Sequence, residues 1–272
     1  MRSRIRETFE RLGAERRAGL VTYVTAGDPD LERSARVLGA LDGAGADILE
    51  IGVPFSDPLA DGPVIQRACE RALGAGATLD RILDLVGGLR ASVRAPLVLF
   101  SYANPIYRMG FEAFAARAAA AGVDGVLALD IPVEESGPLR SSLVQRGVDP
   151  IFLLSPTTTA ERARQAGERG RGFLYLISRA GVTGARDTLA ADLPAMAARV
   201  REVTRLPLAV GFGLSRPEHI RAVAGVADAA VVGSALVQVI ADAGDSPDLV
   251  PRVEQYVRRL RAGSQGDDGL RD

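Results

Sequence analysis

Short runs of apolar, β-rich residues alternate along the chain with longer stretches in which apolar residues recur at helical spacing. The short runs predict eight strands, which are Leu20–Thr25, Asp47–Gly52, Leu97–Ser101, Gly125–Leu129, Pro150–Leu154, Phe173–Ile177, Leu208–Val210 and Ala229–Val232. The stretches with helical spacing include Leu31–Ala44, Leu79–Val93, Phe111–Ala121, Arg140–Arg146 and Leu193–Val203. Strands this apolar, separated by helices, are typical of a parallel sheet that is covered on both faces. Eight such units in 272 residues predict an α/β fold, a (β/α)8 TIM barrel, and not an open sheet.

The two ends of the chain differ from this pattern. Residues Met1–Glu7 lack the apolar block of a signal peptide and predict a short amphipathic helix. No linker interrupts the alternation, so we expect one barrel domain over residues 1–262, with a short N-terminal helix and extra short helices in the loops. The remaining segment, 263–272, is rich in Gly, Ser and Asp and predicts a disordered tail.

Three turns share a glycine near a helix end and an aspartate at the start of the next strand. They are Gly43–Asp47, Ala121–Gly125 and Gly225–Asp228. We expect the glycines to adopt the left-handed conformation that ends many helices. The recurrence indicates one structural unit that is repeated, not several different domains.

Composition narrows the classes of function. The net charge is −1 with a pI of about 6.0, and no basic tract is present, so nucleic acid is an unexpected partner. The longest apolar run, Val226–Ile240, is broken by polar residues and is shorter than the roughly 18 residues that span a bilayer. The single cysteine, Cys69, cannot form an internal disulfide and falls in a helical stretch, which predicts packing in a cytoplasmic protein.

Two absences say more about the chemistry. All 33 basic residues are arginine, so no lysine can form a Schiff base with a carbonyl substrate or with pyridoxal phosphate. The one histidine, His219, rules out histidine-rich metal sites, and its place in the first turn of a predicted helix favours an ordinary helix residue. Catalysis must therefore use carboxylates, tyrosines and backbone dipoles, and we expect no metal site.

Two carboxylates stand where barrel enzymes place catalytic groups, at strand ends and in the loops that follow. Glu50 lies within an apolar strand, and its side chain should point opposite to those of Leu49 and Ile51, into the barrel. Burial there would raise its pKa, which suits proton exchange near neutral pH; the alternative is a structural pair with an arginine. Asp61 could face Glu50 across a pocket, or it could cap a helix that begins near Pro63.

Glycine-rich segments follow three later strands. The segment Gly172–Arg186 carries Tyr175 and predicts a mobile lid over substrate, although Tyr175 could equally be barrel core. The turns Val210–Ser215 and Val232–Ala235 follow the seventh and eighth strands, where barrels commonly bind phosphate through backbone N–H groups and a helix start. The two turns together predict a phosphate site.

Several of these segments resemble the tryptophan synthase alpha chain family, and the resemblance runs essentially from end to end. The most specific match is Leu49–Gln66. The other matching segments are Tyr23–Pro29, Tyr102–Pro105, Asp130–Ser136, Ser178–Gly184, Gly211–Gly213 and Gly233–Ser234. Departures are small, such as Tyr23 where phenylalanine is common in the family and Ser101 at a variable strand position.

The resemblance implies a function and a set of site residues. The family cleaves indole-3-glycerol phosphate into indole and glyceraldehyde 3-phosphate, in an expected α2β2 complex whose pyridoxal phosphate lies in the beta chain, so no cofactor is expected in this chain. By motif match, Glu50 is the general acid/base and Asp61 faces the indole nitrogen. The implied substrate-binding residues are Ile65, Phe100, Tyr102, Tyr175 and Thr183, and the implied phosphate-binding residues are Gly184, Phe212, Gly213, Gly233 and Ser234. The implied contacts with the beta chain are Asp57, Pro58, Asn104, Pro132 and Glu134.

The implied reaction fits a chain without lysine. Retro-aldol cleavage needs an electron sink, normally a lysine iminium or a metal, but an indole ring protonated at carbon 3 can be its own sink. The alternatives are a stand-alone lyase that releases indole, a barrel kept only as a binding or activating subunit, and a sugar-phosphate isomerase, which the absence of lysine disfavours.

Overall fold

Eight parallel strands close into a barrel in the computed structural model, which describes residues 3–177, 192–211 and 213–264. The strands are β1 Gly19–Thr25, β2 Ile48–Gly52, β3 Leu97–Ser101, β4 Gly125–Ala128, β5 Asp149–Leu154, β6 Leu174–Ile177, β7 Leu208–Gly211 and β8 Ala229–Val232. Each strand pairs with the next in sequence, and β1 pairs with β8 to complete the ring. The predicted (β/α)8 barrel is confirmed, and each predicted strand bound lies within one residue of the observed one.

Helices cover the outside of this ring. They are α1 Arg4–Ala14, α2 Leu31–Gly43, α3 Pro63–Gly74, α4 Leu79–Leu89, α5 Ala103–Met109, α6 Phe111–Ala120, α7 Gly137–Gln145, α8 Ala160–Arg169, α9 Leu193–Val203, α10 Pro217–Ala224, α11 Ser234–Ala243 and α12 Leu249–Arg261. Helix α1 precedes the first strand, and the connections after β2 and β3 each contain two helices. The predicted N-terminal helix and extra short helices are therefore present. No helix in the described ranges is both long and apolar enough to cross a membrane.

Side-chain alternation along the strands builds two separate cores. Leu49 and Ile51 pack outward against the helices, whereas Ile48 packs inside the barrel. The inner core is closed at the N-terminal ends of the strands by Ile5 and Phe9 of α1. Glu50 has the parity of Ile48, so the predicted inward direction of its side chain is confirmed.

Aspartates at the N-terminal ends of three strands share one arrangement. Each accepts the backbone N–H of a residue at the start of the preceding strand and pairs with an arginine. These groups are Asp47 with Leu20 and Arg17, Asp124 with Leu97 and Arg90, and Asp228 with Leu208 and Arg201. The repeated device bears out the inference of one recurring structural unit.

The predicted left-handed glycines are only partly found. Gly45 and Gly122 have φ of 94° and 81°, as the turn pattern predicted. Gly225 has φ of −74°, so that prediction is wrong: the last turn of α10 continues through it in the right-handed conformation. At the C-terminus, the first two residues of the predicted tail are packed, because Ser264 is fully buried and Gly263 lies against the Pro217 carbonyl. Residues 265–272 lie outside the described residues.

Candidate active site

A pocket of about 490 Å³ opens at the C-terminal ends of the strands. Eight of its twelve lining residues were predicted from the sequence, and they are Glu50, Asp61, Ile65, Phe100, Tyr175, Gly213, Gly233 and Ser234. Of the other four, Leu214 and Ala235 belong to the two turns predicted to bind phosphate, whereas Tyr23 and Val231 were not assigned to the site. The alternation of side chains along a strand could have predicted the positions of Tyr23 and Val231. Each points into the barrel, as do the residues two positions away in the same strand.

Glu50 lies in the middle of β2, between Tyr23 of β1 and Val98 of β3 in the strand register. It is 1% exposed, and its Oε1 has no hydrogen-bond partner among the described residues. Among the described residues no arginine pairs with it, so the alternative of a structural Glu–Arg pair has no support there. Burial alone raises the pKa of Glu50 to about 8, because the charged form would lose its hydration without gaining a partner. At neutral pH this carboxyl group carries a proton that it can donate.

Asp61 stands at the end of the segment between β2 and α3 and is 6% exposed. Its Oδ2 accepts a hydrogen bond from the Tyr102 hydroxyl at 3.0 Å, and the same hydroxyl accepts the Ala60 N–H at 3.0 Å. Burial raises the pKa of Asp61 to about 6, while the Tyr102 bond acts in the opposite direction. The capping alternative is wrong: the N-cap of α3 is Gly62, and no side chain caps that helix.

Aromatic side chains form one wall of the pocket. The rings of Tyr23 and Phe100 meet edge to face with centroids 5.4 Å apart. The Tyr175 hydroxyl lies over Gly211 so closely that a Cβ on that residue would collide with it. Tyr175 belongs to the inner core and also lines the pocket, so both interpretations of this residue hold.

The two turns predicted to hold phosphate meet at the same pocket. Gly213 lines it with φ of 81°, a conformation that favours glycine. Gly233 is the N-cap of α11 and Ser234 is its first residue, so the N-terminus of α11 opens onto the pocket. A helix N-terminus offers free N–H groups and the positive end of the helix dipole to an anion. Thr183, Gly184 and Phe212, with most of the predicted lid, lie outside the described residues.

The residues predicted to contact a partner lie around this opening, in connections that follow β2, β3 and β4. Asp57, Asn104, Pro132 and Glu134 are exposed and Pro58 is half-buried. Two large apolar side chains are exposed in the same connections, Leu59 at 85% and Tyr107 at 72%. These connections thus present two large apolar side chains to solvent.

Comparison with known proteins agrees with the site. A family model described as tryptophan synthase alpha chain matches residues 9–265. A tryptophan synthase alpha chain of Burkholderia thailandensis is 49% identical over 97% of each chain. One of Solibacter usitatus is 45% identical over 96% of this chain and 98% of its own. This chain belongs to the tryptophan synthase alpha chain family.

Solved structures of tryptophan synthase alpha chains have the same fold. A structure of the Mycobacterium tuberculosis tryptophan synthase aligns with a TM-score of 0.89 at 36% identity, over 97% of this chain and 99% of the other. Tryptophan synthase subunit alpha from Legionella pneumophila aligns with a TM-score of 0.87 at 37% identity, over 97% and 98% of the two chains. The resemblance inferred from the motifs is confirmed.

Two residues of this alpha chain were interpreted as non-catalytic from the sequence. Cys69 is buried beside Ile65 and Tyr23, and burial raises the pKa of its thiol to about 11, so packing is the role that the structure supports. His219 lies in the first turn of α10 as predicted, but it also accepts the Ser215 N–H at Nδ1. No cluster of three His, Cys, Asp or Glu side chains suited to a metal occurs within the described ranges.

Proposed function

We propose that this chain cleaves indole-3-glycerol phosphate to indole and glyceraldehyde 3-phosphate, with Glu50 as the proton carrier and Asp61 at the indole nitrogen. The family is a lyase family with this reaction. The observation that carries the assignment of Glu50 is its burial in the pocket with no partner for its Oε1 in the part of the chain that the structure describes, together with a pKa of about 8. A carboxyl group in that state is protonated at neutral pH and yet can ionise during turnover.

Glu50 acts twice in the proposed sequence. Its proton goes first to carbon 3 of the indole ring, which leaves a cationic ring nitrogen. The bond between carbon 3 and the glycerol chain then breaks, and its electron pair neutralises the ring. The Glu50 carboxylate takes the proton of the adjacent glycerol hydroxyl, whose carbon becomes the aldehyde. Glu50 ends protonated, so one carboxyl group serves as acid and then as base.

Asp61 supports the charge that appears on the ring. With a pKa of about 6, its carboxylate is ionised at neutral pH and can stabilise a positive indole nitrogen. Tyr102 holds this carboxylate through the 3.0 Å hydrogen bond. The difference between the pKa values of Glu50 and Asp61 separates a proton donor from a fixed negative charge within one pocket.

The remaining pocket residues suit the two ends of the substrate. The apolar wall of Ile65, Phe100 and Tyr175 fits an indole ring. The turn at Gly213 and the N-terminus of α11 at Gly233 and Ser234 fit a phosphate, which backbone N–H groups and the positive end of a helix dipole bind well. We include Thr183 in the substrate site, and Gly184 and Phe212 in the phosphate site, on the motif match alone.

The alpha family works with a beta chain, and we propose where this chain meets it. The proposed contact consists of Asp57, Pro58, Asn104, Pro132 and Glu134. Its support is the exposure of Leu59 and Tyr107 in the same connections, because exposed apolar side chains of this size commonly anchor interfaces. We further propose an α2β2 assembly in the cytoplasm, with pyridoxal phosphate only in the beta chain and neither cofactor nor metal in this one.

The test is an assay of indole release from indole-3-glycerol phosphate by the isolated chain and by a mixture with its cognate beta chain. We expect release by the isolated chain, faster release in the mixture, and co-elution of the two chains on size exclusion. Release without association or mutual activation would favour the stand-alone lyase. An absence of release in both samples, with association retained, would refute the catalytic assignment and favour a binding subunit.

A further inference from the structure

Two side chains from later helices form hydrogen bonds with the backbone of the turn that follows β7. The backbone N–H of Ser215 donates to His219 Nδ1 at 3.2 Å, and the backbone carbonyl of Ser215 accepts from the Tyr256 hydroxyl at 2.9 Å. His219 is on α10 and Tyr256 is on α12. Both polar groups of one backbone residue are therefore fixed by side chains from two different helices.

These two side chains have little freedom themselves. His219 is buried, and burial raises the pKa of Tyr256 to about 12, so its hydroxyl remains a donor at any ordinary pH. The turn after α12 also packs on the start of α10, where Gly263 lies against the Pro217 carbonyl. The helices that carry the two side chains are thus packed together, and they present a rigid support to the turn.

The supported turn reaches directly into the pocket. Gly213 and Leu214 both line it, and Leu214 is also buried in the outer core. Ser215 follows Leu214 immediately, so a displacement of its peptide groups would displace the turn at Gly213. A backbone anion site needs N–H groups within a few tenths of an ångström of their positions, because hydrogen bonds weaken steeply with misalignment.

We propose that His219 and Tyr256 are positioning residues that hold the turn Gly213–Ser215 in the shape that binds the phosphate group of the substrate. The inference rests on the proposed function for the identity of the anion. The Ser215 N–H is engaged by His219, so its role is to fix the turn and not to bind the phosphate. Because Nδ1 accepts the Ser215 N–H, the hydrogen bond requires the tautomer with the ring proton on Nε2.

The expected kinetic signature is a change in binding and not in chemistry. The phosphate is remote from the bond that breaks, so its contacts stabilise the bound substrate and the transition state alike. Loss of such contacts raises KM and leaves kcat nearly unchanged. Replacing a residue that merely stabilises the fold would lower the amount of active protein, but it would not raise KM while leaving kcat per folded molecule unchanged.

The test compares His219→Leu, which removes the acceptor, with His219→Gln, whose amide oxygen can accept the same N–H. We expect His219→Leu to raise KM for indole-3-glycerol phosphate, and the inhibition constant of glycerol 3-phosphate, by about 10-fold, with kcat within about 2-fold, since a partly buried N–H loses its acceptor. We expect His219→Gln to restore both constants to within about 3-fold of the unmodified chain. Glu218→Gln, an exposed change in the same helical turn, is the control and should alter neither constant.

A second measurement needs no variant. His219 is the only histidine, so the imidazole nitrogen signals in a ¹⁵N NMR spectrum belong to it without further assignment. We expect the Nε2–H tautomer, and a shift of these signals when glycerol 3-phosphate is added. The Nδ1–H tautomer, or equal losses in His219→Leu and His219→Gln, would overturn the inference. If the chain fails to cleave indole-3-glycerol phosphate but glycerol 3-phosphate binding still depends on His219 in this way, the proposed reaction fails and the positioning role stands.

Discussion

Two buried carboxylates, one just before β2 and one in the middle of that strand, have opposite surroundings. Asp47, just before the strand, is 5% exposed, pairs with Arg17 at 2.7 Å and accepts the Leu20 N–H at 2.9 Å. Glu50, three positions later, is 1% exposed and has no ion pair with a described residue. The carboxylate at the N-terminal end of β2 therefore has ionic and hydrogen-bond partners, whereas the carboxyl group that faces the pocket has none among the described residues.

The difference shows that ionic and hydrogen-bond partners, and not burial alone, decide whether a buried carboxyl group is ionised or protonated. Burial raises the pKa of Asp47, but the Arg17 ion pair and the Leu20 N–H outweigh it, and the pKa lies below its usual value. Glu50 experiences burial without compensation, and its pKa rises to about 8. The first group stabilises the fold as an anion, whereas the second keeps a proton for chemistry. This division matches the general contrast between the two faces of TIM barrels.

The largest expected effect comes from removing the unsatisfied carboxyl group. Glu50→Gln should lower kcat for indole release by about 10³-fold or more, because Asp61, the other described carboxyl group of the pocket, is ionised at neutral pH and cannot act as the donor. Circular dichroism and binding of glycerol 3-phosphate should stay close to those of the unmodified chain. Near-normal turnover would contradict the proton-carrier role.

The same variant has a stability signature whose sign follows from the raised pKa. The unfolded Glu50 ionises near pH 4.5 and the folded group near pH 8, so the folded state holds the extra proton between these values. The free energy of unfolding should therefore fall between these two pH values in the unmodified chain. Glu50→Gln should lack this fall and be the more stable protein at pH 8, as denaturant unfolding at pH 5 and pH 8 would reveal.

The corresponding change at Asp47 should lower the free energy of unfolding and leave kcat nearly unchanged. Asp47→Asn leaves the largely buried Arg17 guanidinium with Glu15, which is partly exposed, as its remaining counter-charge, and this should lower the free energy of unfolding by about 3 kcal/mol. Turnover per folded molecule should change little, because Asp47 is remote from the pocket. Urea unfolding and active-site titration measure the two quantities separately. A large fall in kcat with an unchanged free energy of unfolding would contradict the assignment of a purely structural role to Asp47.

Asp61→Asn should reduce kcat/KM by about 10²-fold, since the developing positive charge loses its anion. The unmodified chain should show kcat/KM rising with pH through about 6, as Asp61 ionises, and falling through about 8, as Glu50 loses its proton. The variant should lose the acidic limb and keep the alkaline one. If instead the melting temperature fell and the shape of the profile persisted, a structural role of Asp61 would be supported.

The smallest expected effect belongs to the partner of Asp61. Tyr102→Phe removes the hydrogen bond that opposes the upward shift of the Asp61 pKa, so the acidic limb should move to higher pH. At pH 6 the activity should fall by about 3-fold to 10-fold, and at pH 7.5 by less. A pH profile of kcat/KM checks this. An unchanged acidic limb would show that Tyr102 does not influence Asp61.

Local patterns were sufficient for the barrel and for the direction of Glu50, because strand parity needs no knowledge of distant partners. The same patterns left the role of Asp61 open, since an Asp-Gly-Pro sequence is typical of a helix start whether or not the aspartate caps it. The deciding contact comes from Tyr102, which lies 41 positions later in the chain. Gly225 was misjudged for a similar reason: the conformation of a helix end depends on what packs against it.

By itself the sequence limited the kind of chemistry open to this protein: the absence of lysine excludes a Schiff base, and a single histidine excludes histidine-rich metal sites. It also determined the barrel, whose alternating apolar positions are a local property of the chain. Only the tertiary structure decided which carboxylate is left without a partner, and which side chains hold the turn at Ser215. Those outcomes depend on contacts between residues far apart in sequence, because the energy of a buried polar group is set by its nearest neighbours in space.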